Sequence, residues 1–395
     1  MSMPFILYFA VNTAIFITLA TLVFFALQYP WIYKTFREPR YDRKYIPSVA
    51  LFLPCKGAPK DFAGNIKSVL AIKYNPIRLF FLVEDEHDAA YAVLRKAIRG
   101  HKNARLIKTG RAVSCGQKNF NLVKGVKAAG KKEELFVFMD SDIEVSARWI
   151  KDLVLPLSDK KVMLTTGCMW LSLHTRSFGE RVHSYMVALQ HSLMYFMPVS
   201  AVWGGCMAIR RVDYERLNMM KIWLGNVSDD MGMQSTLMLN RAKVVMVPTC
   251  EGHGRDPFPR LGPTLDWITR QGLMVKNYLR PLWVFALVLL GYLSAQFILF
   301  PAAVVYTVQH PTMVTIPVTA MLGSTILTIM AASTLIRWRI KDNHSRLTWF
   351  VFSPAYFLLT AFALFRTLFT NVVHWSGITY YLSFFGSVKR IERKD

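Results

Sequence analysis

The stretch Leu135-Phe136-Val137-Phe138-Met139-Asp140-Ser141-Asp142 decides how the rest of this chain reads. Five consecutive apolar residues predict a strand buried on both faces, as in a parallel sheet. Open α/β sheets take their ligands at the carboxyl ends of such strands, and Asp140 and Asp142 stand at that end. Two carboxylates one residue apart suit a hard divalent cation that also holds phosphate oxygens. Many surface turns contain the same spacing, so the surrounding sequence has to carry the interpretation.

Outward from this run, strand-like and helical segments alternate. Strands are predicted at residues 49–53, 78–83 and 104–108, with helices at 65–71, 91–99 and 119–129 between them and Asp140. That β-α-β-α order predicts a mostly parallel sheet with helices on both faces. The second half is less regular. It offers strands at 162–166, 206–209 and 244–247 and a helix at 178–196. Another helix opens at Asp229-Asp230, where the dipole favours acids, and runs to about residue 239.

Composition places this domain beside a membrane. Of 395 residues, 53% are hydrophobic and only 18% charged, and the apolar excess is concentrated at the ends. Residues 1–33 carry no charge, and 5–28 is long enough to cross a bilayer. We read it as an uncleaved anchor, because it lacks a basic leader and is longer than a signal peptide's apolar core. Residues 281–336 again lack Asp, Glu, Lys and Arg and fit two spans, 282–307 and 312–336. A further apolar run at 347–365 follows the basic loop 337–341. Lys34, Arg37, Arg40, Arg43 and Lys44 follow the anchor, so positive-inside logic puts residues 34–280 in the cytosol. Three C-terminal spans would then place the basic tail 388–395 outside, so an interfacial or re-entrant helix is expected in its approach. The net charge of +23 fits positive-inside bias, or an anionic leaflet with a phosphate-bearing substrate. Its scatter and the lack of a recognition motif speak against nucleic acid. Five cysteines form no CxxC pair, so reduced thiols are expected.

Six pieces then occur in one order: Pro54-Cys55-Lys56-Gly57, Val83-Glu84-Asp85, Gly116-Gln117-Lys118-Asn119-Phe120-Asn121-Leu122, Asp140-Ser141-Asp142, Trp203-Gly204-Gly205-Cys206 and Ser228-Asp229-Asp230. Together they make residues 47–283 resemble family 2 glycosyltransferases of the GT-A fold, most of all the ceramide glucosyltransferase-like branch in a bacterial, membrane-bound form. The resemblance implies an α/β GT-A domain flanked by transmembrane helices and lying in the cytosol, at the bacterial inner membrane. It implies nucleotide-sugar contacts from Lys56, Asp85, Lys118, Asp140, Arg270 and Gln271. Asp142, with Asp140, would hold Mg2+ or Mn2+, and Asp230 would be the catalytic base. Trp203, Gly204, Gly205 and Asp229 would meet the acceptor.

Plain alternatives accompany these roles. Asp140 and Asp142 could cap a helix, Asp85 could be a solvated strand-end acid, and Lys118 could be a solvated cation. Trp203 could stack on a sugar or fill a core. His253 is either a third metal ligand or a loop histidine. Two neighbouring acids raise the pKa of one member, which would help a base at Asp230. One departure matters. The family's (Q/R)xxRW signature opens here at Arg270, but Leu273-Met274 stand where its Arg-Trp pair belongs. Trp375-Ser376-Gly377-Ile378-Thr379-Tyr380 is similar to the family's tail element without its arginines.

The expectation is therefore single-hexose transfer from a UDP-sugar to a membrane lipid hydroxyl, with inversion and without an obligate protein partner. An amphipathic helix near 265–279 would lie at the interface below the site. A processive polysaccharide synthase would need more spans and the intact Arg-Trp pair. An inactive lipid-binding scaffold would not need all three acidic motifs.

Overall fold

The computed structural model describes residues 41–172, 177–196, 202–255, 260–336 and 346–393. The expected anchor at 5–28, with Lys34, Arg37 and Arg40, and the basic loop 337–341 lie outside the described residues. The chain begins β1 (Val49–Pro54), α1 (Phe62–Leu70), β2 (Ile77–Val83), α2 (Ala89–Ala97), β3 (Ala104–Lys108), α3 (Gln117–Ala129) and β4 (Leu135–Met139). It continues α4 (Trp149–Val154), β5 (Val162–Ser172), α5 (Phe178–Phe196), β6 (Cys206–Arg210), α6 (Arg211–Arg216), α7 (Met219–Trp223), α8 (Asp229–Leu239) and β7 (Lys243–Arg255). Then come α9 (Leu261–Tyr278), α10 (Arg280–Gln309), α11 (Thr315–Ile336), α12 (Arg346–Arg366), β8 (Val372–Trp375), β9 (Ile378–Leu382) and β10 (Val388–Arg393).

The strands lack polar alternation because helices cover both faces of the sheet. Val49, Leu51 and Leu53 of β1 pack with Phe62, Ile66 and Val69 of α1. Ala50 and Phe52 point the other way, into a core with Leu122 and Val126 of α3. Phe52 stacks on Phe80 and Phe138 with ring centres 5.2 and 5.5 Å apart. Gly125 lets α3 settle on these strands, since a Cβ there would come within 2.8 Å of Leu82 and 2.9 Å of Phe52.

Seven strands form one sheet in the order β3-β2-β1-β4-β6-β5-β7, with β6 alone antiparallel. From β1 the chain builds outward to β3, then returns to place β4 on the other side of β1. That reversal opens the crevice in which such sheets bind ligands. β5 and β7 run further than their hydrophobic patterns predict. Past a register shift between Thr166 and Cys168, their polar, glycine-containing ends pair as Cys168–Ser172 with Glu251–Arg255. Partner availability, rather than intrinsic propensity, makes strand there.

Among the described residues, three helices are long and apolar enough to cross a membrane: α10, α11 and α12. The first two form an antiparallel hairpin, with Thr307 and Thr319 hydroxyls 2.7 Å apart near its turn. In α12, 39% of the most apolar stretch is buried within the protein, against 11% and 22% in α10 and α11. Trp349, Tyr356 and Ala363 of α12 pack with Val182 and Tyr185 of α5 and Ile268 of α9.

The segment read from sequence as a basic tail is instead the end of a three-stranded antiparallel sheet, β10-β9-β8. Ser376 and Gly377, with φ of 50° and 75°, make the tight turn joining β8 and β9. This sheet docks back onto the α/β domain, where the Tyr380 hydroxyl accepts the Gln117 amide at 3.1 Å.

Candidate active site

The acids come together because β6 is antiparallel. Its N-terminal end reaches the same sheet edge as the C-terminal end of β4, where the Asp140 amide donates to Gly205 O at 3.2 Å. Gly204 then lets the start of α8 approach. A Cβ on Gly204 would lie 3.1 Å from Asp230 Oδ2 and 3.2 Å from Asp229 Oδ2. The loop before α8 is held from two sides. Asn119 of α3 donates to Asn226 O at 3.0 Å, and the Val227 amide donates to the Tyr278 hydroxyl of α9 at 2.9 Å.

Lys118 sits at the centre. Its ammonium lies 2.6 Å from Asp140 Oδ1 and 2.9 Å from Asp229 Oδ2, and donates to Gly204 O at 3.1 Å. The Asp229 contact is an ion pair off the hydrogen-bond direction. Burial opposes the charge more than any other single effect, yet Asp140, Asp229 and Asp230 together hold the Lys118 pKa above its ordinary value. Lys118, expected to offer positive charge to nucleotide phosphates, here joins two acidic motifs 89 residues apart, from Asp140 to Asp229.

The neighbouring acids differ in environment. Asp229 is 1% exposed, and burial, reinforced by Asp230 and Asp140 against Lys118, pushes its pKa up to about 7. Asp230 is half-buried and oriented by donors: Met231 N at 2.7 Å and the Ser228 hydroxyl on Oδ1, and Gly204 N at 3.2 Å on Oδ2. Oδ2 keeps a lone-pair site for a proton. Asp142 faces the open cleft but is ringed by protein, and this desolvation, with the Asp140 charge, pushes its pKa up to about 6.

Among the described residues, no three His, Cys, Asp or Glu side chains converge into a dedicated metal cage. A pair of carboxylates is what Mg2+ uses when substrate phosphates complete its shell. Asp142, whose ionisation the Asp140 charge opposes, fits together with Asp140 a cation that arrives with a nucleotide diphosphate.

Arg270 of α9 reaches toward the same acids. Burial lowers its pKa, while Asp230, Asp140 and Asp142 act in the opposite direction. Its guanidinium lies over the Trp375 ring, 5.1 Å from the centre. The sequence reading found no aromatic beside Arg270 because the one that serves it stands 105 positions away, on β8. Gln271 is half-buried, about 100° further round the helix. Asp85 lies on the same sheet edge at the end of β2, two strand spacings from Asp140 or roughly 10 Å, and accepts the His87 amide at 2.8 Å. Lys56, exposed after β1, stands 3.8 Å from Glu84. The Trp203 ring is wedged beside Gly205 and Gly252, where a Cβ would come within 2.2 and 2.5 Å, and it packs against the core while partly exposed. His253 is paired with Trp170 in the sheet, and its side chain lies outside the described residues.

A mostly parallel sheet with acids converging at its switch point is the architecture of a GT-A glycosyltransferase. The mannosyltransferase PcManGT from Pyrobaculum calidifontis, solved in complex with GDP-Man and Mn2+, has a similar fold. Its TM-score is 0.51 at 15% identity, covering 92% of this chain and 98% of that one. The chain belongs to glycosyl transferase family 21, whose sequence profile matches residues 13–387. It is also 23% identical over 190 residues to ceramide glucosyltransferase 1 of Caenorhabditis elegans. That alignment covers 48% of this chain and 40% of the relative. The resemblance to the ceramide glucosyltransferase branch is borne out, under family number 21.

Proposed function

We propose that this membrane glycosyltransferase moves one hexose from a UDP-sugar to the hydroxyl of a membrane lipid, with inversion. The observation that carries the reading is the Lys118 bridge, which draws Asp140 and the Asp229-Asp230 pair to one edge. That edge lies next to α9, the helix leading directly into the membrane hairpin. The lipid acceptor is supported by the likeness to a ceramide glucosyltransferase, and the UDP donor by the motifs that resemble that branch.

In this reading Asp85 and Lys56 border the nucleotide, and Asp142 with Asp140 would hold a divalent cation, Mg2+ or Mn2+. When bound, the cation offsets charge on the departing diphosphate. Arg270 adds fixed positive charge on the same side. Lys118 keeps the acid cluster compact without itself contacting the ligand. Asp230 Oδ2 takes the proton of the acceptor hydroxyl as its oxygen bonds to the anomeric carbon. The bond from that carbon to the diphosphate breaks, and UDP leaves with the electron pair. One base and one displacement give inversion.

The catalytic domain and β8–β10 touch each other, so the chain between them crosses the bilayer an even number of times. With α10 and α11 crossing, α12 lies along the interface. Both its ends support this. Trp349 packs on Tyr185, which also bonds Ser333 near the end of α11 at 3.0 Å. Thr367 accepts from Trp283, near the start of α10, at 2.9 Å. The membrane face then holds α5, α9 and α12 as a platform for a lipid headgroup. The cytosolic side follows from the supply of sugar nucleotides there.

The test is purified protein in detergent with a panel of UDP-sugars, GDP-mannose and a bacterial lipid extract. Mass spectrometry should find a single hexose increment on one lipid class. A ladder of increments would favour a polymerase, and no glycolipid from any donor would refute the reading.

A further inference from the structure

One strand end makes contacts that the transfer chemistry does not use. Arg393 closes β10 with its side chain only 18% exposed. Its Nη1 donates to the Glu84 carboxylate oxygens at 2.9 and 3.1 Å. Its Nη2 donates to Gln117 Oε1 at 2.7 Å and to Ala112 O at 3.2 Å. Each partner borders the donor edge. Glu84 precedes Asp85 at the end of β2, and Gln117 precedes Lys118 at the start of α3. Ala112 belongs to the loop after β3, which Gln117 holds again by accepting Ala112 N and donating to Gly110 O, both at 2.9 Å. Gln117 is 6% exposed, so water cannot easily replace a lost partner.

Charge adds a second argument. Glu84 is 8% exposed and has three cations around it: Arg393, Arg111 at 3.2 Å and Lys56 at 3.8 Å. Arg393 meets it from the interior, whereas the Arg111 and Lys56 side chains are 64% and 40% exposed. Three cations and one carboxylate leave two positive charges in surplus, on the groups that face solvent. Without Arg393 the buried carboxylate would draw both inward, because an uncompensated buried charge is costly.

We propose that Arg393 is a positioning residue of the nucleoside-diphosphate site. From the tail sheet it fixes the strand end at Glu84-Asp85, the Ala112 loop and the start of α3, and it leaves Lys56 and Arg111 free to meet an anionic ligand. This rests on the donor reading above, and it deepens that reading by making the C-terminal sheet part of the donor site.

The experiment measures UDP and GDP binding with Mn2+ by calorimetry on the full chain in detergent, beside thermal unfolding of the ligand-free protein. Arg393→Gln should weaken nucleotide binding about tenfold, the effect of losing a charge-assisted contact, and Arg393→Lys should fall between it and wild type. Arg390→Gln, on the exposed part of the same strand, should bind as wild type. If Arg393→Gln unfolds, the double variant Glu84→Gln/Arg393→Gln removes the buried charge. It should recover the fold but not the affinity. Wild-type affinity in either folded variant overturns the proposal, as does a wild-type chain that binds neither nucleotide. Binding without sugar transfer to any lipid would instead sink the transferase reading and leave the role of Arg393 standing.

Discussion

At the scale of single residues, Lys118 is the group on which the acid cluster depends. Lys118→Met leaves Asp229 buried without its counter-charge and should cost about 3 kcal/mol of stability at pH 8 in chemical denaturation. Introduced beside Asp229→Asn, the same change should cost markedly less. Asp142→Asn and Asp230→Asn should each lower transfer at least a hundredfold, the scale of general base and charge-stabilising contributions, with unfolding transitions that remain cooperative. The raised carboxyls also set a pH dependence. Asp142 at about 6 and Asp229 at about 7 lie above the ordinary aspartate value. Between roughly pH 4, where an unfolded Asp ionises, and pH 7, the folded protein therefore holds protons that the unfolded chain has lost. Their contribution to stability falls as pH rises through that window. A cation that needs ionised Asp142 reverses its share, so Mn2+ with UDP should raise the melting temperature more at pH 8 than at pH 5.5. Asp140, Asp142, Asp229 and Asp230 could be picked out because their motifs stand in the order of the family the sequence resembles. The bridging place of Lys118 could not, because it depends on α8 coming up against β4 across Gly204.

Among elements, the first half of the α/β domain was legible because the central strands β1, β2 and β4 are almost wholly buried and a helix follows each of β1 to β4. The C-terminal sheet was not. In β10, Lys389, Arg390 and Arg393 look like a solvated tail, and only the Ser376-Gly377 turn between β-prone segments pointed to a hairpin. The consequence is functional, since β8 supplies Trp375 to Arg270. Trp375→Ala should lower kcat/KM about tenfold, as expected for loss of a partly desolvated cation–π contact. Trp375→Phe should stay within about threefold of wild type in the same assay.

For the whole molecule, the proposed even number of crossings predicts which surfaces share a side of the membrane. All five native cysteines are buried, so single introduced cysteines can report topology. An impermeant maleimide should reach Met313→Cys, in the hairpin turn, from one side, and Ser387→Cys, in the β9–β10 turn, only from the other. Labelling of both from one side would mean that α12 crosses and the tail sheet does not dock. The central claim is that Asp142 and Asp140 form a cation site completed by a nucleotide diphosphate. It is tested most directly by Mn2+ titration followed by electron paramagnetic resonance, with and without UDP. The account predicts weak Mn2+ binding alone, at least tenfold tighter binding with saturating UDP, and loss of that gain in Asp142→Asn. Equal Mn2+ affinity with and without UDP, or an unchanged gain in Asp142→Asn, would contradict it.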